Sequence, residues 1–263
     1  MVLLFDLTES DRGVLHRLAA GAQIALDHLK PEDAVAVYAA SADVVDGFTR
    51  DHARTAVAIA RVAAMKSDDA AFFNEAIYRA AAQFETSANP ASRRVILWLT
   101  DNLPNLPTNF MLQKHDKGLG GGVPQTEEDA IRRLHASGTV VMPLLLKDRL
   151  YIWGGRIWGG RILARDEADF AREHPGGKHY PPGDAHKYAE LTGGFAIEMR
   201  GKGVAERLAE IIDSLRGRYT IGYRPTEYKP PGTFCPVKVT LASGSPLRPQ
   251  EWSVRSRTGY YRR

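Results

Sequence analysis

The first 216 residues alternate between short apolar runs and longer segments with helical periodicity, and this alternation restricts the possible folds more than any other feature. The runs VLLF at 2–5 and VILWL at 95–99 are continuously apolar, which is typical of parallel strands covered on both faces. Leu15, Leu18 and Ala22 then recur at spacings of three and four residues, which indicates one face of a helix. The order predicts an α/β fold: a Rossmann-like, doubly wound, mostly parallel sheet with helices on both faces.

The same patterns locate the individual elements. Strands are predicted at 2–5, 34–41, 43–49, 93–101, 139–146 and 195–199, and helices at 11–30, 51–65, 70–85, 126–137, 187–194 and 204–218. Because almost no loop separates 34–41 from 43–49, these two strands are expected to be antiparallel neighbours.

The composition changes after Gly217. Short β-type runs separated by Pro and Gly, such as YTIGYRP, TFCPVKVTLA and EWSVRSR, replace the helical pattern. We therefore expect two parts, a main domain at 1–216 and a β-rich extension at 217–263 packed on it. The stretches 102–125 and 147–185 fit neither scheme, and loops of this length are usually functional or disordered.

Composition excludes several classes of protein. At 263 residues and 44% hydrophobic, the chain can bury one substantial core. Its 35 Lys and Arg are mixed with 31 Asp and Glu, so nucleic acid is not expected as a partner. Cys235 is the only cysteine, which excludes an internal disulfide and a Cys-based zinc site. No apolar run reaches the roughly 18 residues of a membrane-spanning helix.

Oxygen-bearing side chains follow two of the predicted strands. Asp6, Thr8 and Ser10 come directly after the first strand, and Asp101 directly follows the strongest one. In open α/β sheets, ligands bind beyond the carboxyl ends of the strands. Carboxylates and hydroxyls are hard donors that suit Mg²⁺, Mn²⁺ or Ca²⁺. The alternative is that Thr8 and Ser10 merely cap the next helix.

These residues resemble the metal-ion-dependent adhesion site of the von Willebrand factor A family. Asp6, Thr8 and Ser10 fit the family pattern Asp-x-Ser-x-Ser with one exchange of Ser for Thr, and Asp101 fits its later Thr-Asp step. The resemblance implies that Thr8 and Ser10 bind the cation directly and that both aspartates act largely through water. Ala71 stands where the family has a further Thr ligand.

Three residues just before Ala71 are candidates to replace that missing Thr ligand. They are Ser67, Asp68 and Asp69. If one of the aspartates joined the ligands, the cation would be held more firmly but would attract a carboxylate of a partner less.

The resemblance extends to the end of the chain. The segments YAELTGGFAIEM, RYTIGYRP and VRSRTGYYRR are similar to a bacterial group of A-domain proteins described mainly from Acidobacteria. Members of that group typically carry an export signal and a β-domain upstream, which implies the cell envelope or the exterior. Neither is evident in this sequence, so the sequence leaves open both whether the chain is a fragment of something longer and which compartment it occupies.

The resemblance implies a non-enzymatic module that binds a protein partner. Loops on the metal side set partner specificity in this family, so the candidate contact residues lie in two segments. These candidates are Asn102, Asn105, Trp153, Arg156, Trp158 and Arg161. The two tryptophans and two arginines belong to the tandem repeat IWGGRIWGGR. This repeat either presents binding residues or is a duplicated hairpin. Two alternatives stay open, a scaffold that binds no metal and a Mg²⁺-dependent hydrolase with Asp6 as nucleophile.

Overall fold

The computed structural model describes residues 1–5, 12–39, 44–65, 73–86, 92–100, 125–146, 184–199, 203–242 and 254–262. A six-stranded sheet forms its centre, in the order β3-β2-β1-β4-β5-β6. The strands are β1 (Val2–Phe5), β2 (Val35–Ala39), β3 (Val44–Thr49), β4 (Val95–Thr100), β5 (Val140–Leu146) and β6 (Ile197–Met199). All neighbouring pairs are parallel except β2 and β3.

Within the described ranges, six helices cover the two faces of this sheet. They are α1 (Arg12–Ala25), α2 (His52–Ala64), α3 (Phe73–Ala82), α4 (Glu127–Ser137), α5 (Ala185–Thr192) and α6 (Val204–Arg216). Short 3-10 turns, Leu26–His28 and Gln83–Thr86, continue α1 and α3.

Each face of the sheet has its own core. Leu3 and Phe5 of β1 pack with α1, α2 and α6 on one face, whereas Leu4 packs with α3, α4 and α5 on the other. Successive side chains of a strand point to opposite faces, so a strand buried on both sides is apolar at every position. This explains why β1 and β4 are uninterrupted apolar runs, and it confirms the predicted doubly wound α/β fold.

Two glycines end helices of this sheet's outer layer. Gly138 follows α4 and Gly193 follows α5, with φ angles of +66° and +75°. This left-handed conformation is one that glycine adopts without steric penalty. At the other end of α4, Thr126 and Asp129 form a reciprocal capping box, which explains the abrupt start of that helix.

The extension after Gly217 contains a two-stranded antiparallel sheet, β7 (Phe234–Pro236) and β8 (Gly259–Tyr261). It packs on α4, where the buried ring of His135 lies 5.3 Å from the ring of Phe234 and 6.4 Å from that of Tyr261. The prediction of a strand over YTIGYRP is wrong for the described structure, because residues 219–225 pair with no described strand.

None of the helices among the described residues combines the length and apolar character needed to cross a membrane.

Candidate functional site

The carboxyl edge of the central sheet brings together the ends of β1 and β4. Phe5 is in register with Leu99 across this parallel pair, so β1 and β4 end within one residue of each other at the same edge. The next residues in the sequence are Asp6 and Asp101. The two strands are therefore neighbours, although the sequence alone does not specify their adjacency.

The predicted ligands themselves, Asp6, Thr8, Ser10 and Asp101, lie outside the described residues. The same holds for Ala71 and for the candidate substitutes Ser67, Asp68 and Asp69. It also holds for the candidate partner contacts, Asn102, Asn105, Trp153, Arg156, Trp158 and Arg161. All of these assignments stay predictions.

Among the helices that begin at this same edge are α3, α4 and α5. Helices α3, α4 and α5 each run from it towards the opposite edge, because each precedes a parallel strand, β4, β5 and β6 respectively. The positive ends of their macrodipoles therefore lie together. Acidic residues occupy the first turns of α3 and α4, where they complement these dipoles.

Polar contacts tie the first turns of these three helices to one another, and we call this set the helix-start network. The buried hydroxyl of Tyr188 in α5 donates to Oδ1 of Asn74 in α3, at 2.6 Å. Burial raises the pKa of Tyr188 well above 10, so this hydroxyl stays protonated and able to donate. The contact joins residues 114 positions apart in the chain.

Two further contacts complete the helix-start network. Oε2 of the buried Glu75 in α3 accepts from the backbone N–H of Gln125, just before α4, at 2.7 Å. Nζ of Lys187 in α5 lies 2.7 Å from Oε2 of Glu127 in α4. The network holds the three helix starts in fixed positions at the edge where the predicted ligand segments leave and rejoin the described structure.

Sequence reasoning missed this network. A faint signal was present, since Asn74 and Glu75 are polar residues at buried positions of a helix that is otherwise apolar on its core face. Buried polar groups require hydrogen-bond partners, but no local spacing identifies a partner as distant as Tyr188.

The donor set fits a hard divalent cation in its chemistry. The predicted ligands offer two carboxylates and two hydroxyls and no sulfur or imidazole, which matches the preference of Mg²⁺ and Ca²⁺ for oxygen. Within the described ranges, no group of three or more His, Cys, Asp and Glu residues could hold a metal ion. The one cysteine, Cys235, is buried and free in the extension.

Comparisons with known proteins concern the fold only. No protein-family model matches the sequence, and a comparison with curated proteins gave no match. Among solved structures, the chain is similar to a von Willebrand factor type A protein from Catenulispora acidiphila, at 17% identity and a TM-score of 0.49, over 81% of this chain and 41% of that one. The chain thus spans less than half of the length of that protein.

Two further solved structures match over nearly all of their own length. An aerotolerance-related membrane protein from Bacteroides fragilis is 14% identical, with a TM-score of 0.49, over 82% of this chain and 98% of that one. The VWA domain of SpRpn10 is 11% identical, with a TM-score of 0.40, over 81% and 93%. The predicted resemblance to von Willebrand factor A domains thus recurs among solved structures, whereas the narrower resemblance to the group from Acidobacteria stays a prediction.

Proposed function

We propose that this chain is a non-enzymatic, protein-binding module of the von Willebrand factor A type, with a divalent cation at the carboxyl edge of its sheet. One observation carries the proposal: β1 and β4 are adjacent parallel strands that end within one residue of each other, at Phe5 and Thr100. The residues that follow them in sequence are Asp6 and Asp101. They belong to the two segments of the sequence that match the adhesion-site motif.

Four residues would hold the cation, namely Asp6, Thr8, Ser10 and Asp101. Mg²⁺ is the expected ion, with Mn²⁺ or Ca²⁺ as substitutes, because all four side chains are hard oxygen donors. Bound there, the cation would supply a positive centre for a carboxylate of the protein partner. Neutral hydroxyls in direct contact would leave more of its charge available than aspartates would.

The helix-start network supports this role by holding in place the helix starts next to the proposed binding loops. A binding edge built from loops loses affinity if the partner must first order them. Contacts such as those of Asn74 with Tyr188 and of Glu75 with Gln125 fix the starts of α3, α4 and α5. The segments that carry the proposed partner contacts, 102–125 and 147–185, therefore connect to a rigid base.

A second function is favoured by Ala71. An alanine at the position of the family's Thr ligand removes one oxygen donor, so a scaffold of the same fold that binds partners without metal is the competing proposal. In that case the edge would still bind a protein, but chelators would have no effect.

Calorimetry distinguishes these proposals. Mg²⁺, Mn²⁺ and Ca²⁺ are titrated into chelator-stripped protein, into Asp6→Ala and Asp101→Ala, and into Glu32→Ala as the control. Glu32 is an exposed carboxylate just before β2, at the opposite edge of the sheet. Binding by the wild type and Glu32→Ala that disappears in the other two variants supports the cation site.

Absence of binding by the folded wild type would refute the cation site in favour of the metal-free scaffold. Turnover of a phosphorylated model substrate that depends on Asp6 would instead contradict a non-enzymatic role. Circular dichroism of each variant establishes that a lost signal does not reflect unfolding.

A further inference from the structure

A row of large apolar side chains is exposed in the extension. The side chains of Tyr219, Ile221 and Tyr223 are 93%, 73% and 56% exposed. In a β-strand, where side chains alternate between the two sides, this spacing would place all three on one side. Exposed apolar residues are ordinarily scattered singly, and contiguous ones mark interaction surfaces. We call residues 219–223 the open strand.

The backbone of the open strand also lacks hydrogen-bond partners within the described part of the chain. Among the residues that the structure describes, none forms a hydrogen bond with the backbone of Tyr219, Thr220, Ile221 or Gly222. Free N–H and C=O groups beside alternating apolar side chains are the features of an open sheet edge. The pattern that predicts a strand here is thus present, and only the partner strand is missing among the described residues.

The open strand is nevertheless held at its first end. Immediately before it, the guanidinium of Arg218 donates to the carbonyl of Gly193. The carbonyl of Arg218 accepts from Nη2 of Arg93 at 2.5 Å. Both partners lie on the main domain, next to the amino ends of β4 and β6.

Aromatic contacts hold the other end of the open strand. The Tyr223 ring lies 6.2 Å from that of Tyr260, edge to face. Beyond it, the guanidinium of Arg262 lies 5.3 Å from the centre of the Tyr228 ring. A partner that binds a segment already fixed at both ends loses less conformational entropy than one that must order it.

Charge identifies the kind of partner. The extension, residues 217–263, contains nine Lys and Arg and two Glu, a formal charge of +7, whereas the whole chain carries +4. Arg218 and Arg224 flank the open strand directly. Like charges oppose the pairing of this segment with a second copy of itself, and they attract a carboxylate-rich one.

We propose that the open strand binds an extended, acidic peptide segment of a partner protein, which adds to it as a neighbouring strand. Main-chain hydrogen bonds would provide affinity, and the Tyr219, Ile221 and Tyr223 row would select alternating apolar side chains. A nucleic acid fits less well, because Ile221, in the middle of the row, offers no ring for stacking. The proposal rests on residues remote from the cation site and holds or fails independently of it.

The test uses a fluorescent peptide of about eight residues, alternating valine and glutamate, the length of a typical strand. Fluorescence anisotropy is measured for this peptide, for its lysine counterpart and for a version N-methylated on the pairing amides. Binding of the acidic peptide alone is expected, with slower exchange of the backbone amide of Ile221, whose N–H would point towards the added strand. Equal binding of the lysine or the N-methylated peptide would refute the proposal.

Matched variants of the protein separate backbone pairing from charge. Ile221→Pro removes one ladder N–H and should weaken binding about tenfold, whereas Thr226→Pro, outside the open strand, should change it less than about twofold. Arg224→Glu should weaken binding and Arg61→Glu on α2 should not, since both arginines are exposed and only the first flanks the open strand.

Two other outcomes would also overturn the proposal. One is displacement of the peptide by a single-stranded oligonucleotide combined with full binding by Ile221→Pro. The other is a concentration-dependent dimer that the same substitution abolishes while the peptide fails to bind.

Discussion

The packing of the extension against the main domain can be tested at one glycine. Gly193 ends α5, and a Cβ added there would lie 2.5 Å from the carbonyl carbon of Ser256 and 2.6 Å from the backbone nitrogen of Arg257. Real Cβ atoms do not approach so closely, so Gly193→Ala must displace the backbone of residues 256–258. Thr258 holds that backbone in place through its N–H, which donates to the carbonyl of Leu191 at 3.0 Å.

Gly138 provides the matched control. It ends α4 in the same left-handed conformation, but a Cβ added there meets only the flexible guanidinium of Arg257, at 3.7 Å. Gly138→Ala should therefore cost only the backbone strain of about 1–2 kcal/mol. Gly193→Ala adds overpacking of about 1–3 kcal/mol, which gives a total of about 2–5 kcal/mol.

Urea unfolding of both variants measures this difference, and trypsin cleavage after Arg255 and Arg257 reports the position of the extension. We expect Gly193→Ala to be less stable than Gly138→Ala by about 1–3 kcal/mol and to be cleaved faster. Equal destabilisation of the two variants, with equal cleavage rates, would show that residues 254–258 do not pack against the end of α5.

Three further predictions concern single contacts. Tyr188→Phe removes the buried hydrogen bond to Asn74 and should lower the free energy of unfolding by about 1–2 kcal/mol in urea denaturation. Asp46→Asn removes the carboxylate that accepts from Nε and Nη2 of Arg54 at 2.8 and 2.5 Å. Because the Arg54 side chain is 59% exposed, this substitution should lower the free energy of unfolding at neutral pH by at most about 1 kcal/mol. Arg54 lowers the pKa of Asp46 below its usual 3.8, so this contribution is present above pH 3.8 and should vanish from the unfolding curves as the pH falls below it. Burial lowers the pKa of His135 below 6.5, so on acidification His135 becomes protonated in the unfolded chain before it does in the folded one. The free energy of unfolding should therefore fall as the pH drops from 6.5 towards the lowered pKa, and His135→Phe should reduce this pH dependence.

The sequence predicts the fold well where burial alone determines the pattern. β1 and β4 are buried on both faces, so Val2–Phe5 and 95–99 are apolar at every position, and only the last residue of β4, Thr100, is polar. Gly138 and Gly193 mark helix ends because the left-handed backbone there favours glycine. These patterns do not specify that β1 and β4 are adjacent. The sheet shows that adjacency, on which the place of the predicted cation site depends.

Other features depend on partners that a local pattern cannot identify. The alternation of Tyr219, Ile221 and Tyr223 predicts a strand, yet a strand also needs a neighbour with which to exchange hydrogen bonds. Similarly, the polarity of Asn74 indicates that it requires a partner, but Tyr188 is 114 residues away. Periodicity thus specifies which side of an element is apolar, whereas long-range pairing depends on the whole fold.

The two proposed binding surfaces lie at opposite edges of the sheet. Asp6 and Asp101 follow the carboxyl ends of β1 and β4, whereas Arg218, at the start of the open strand, is held by Arg93 just before the amino end of β4. The six residues of β4 span about 20 Å. That distance exceeds the screening length of about 8 Å at physiological salt, so the charge of a bound cation should have little influence on an acidic peptide at the open strand. We therefore expect the dissociation constant of the acidic peptide to be the same in Mg²⁺ and in chelator, and unchanged by Asp6→Ala. A peptide affinity that rises severalfold with Mg²⁺ and loses this dependence in Asp6→Ala would instead place the peptide at the cation edge.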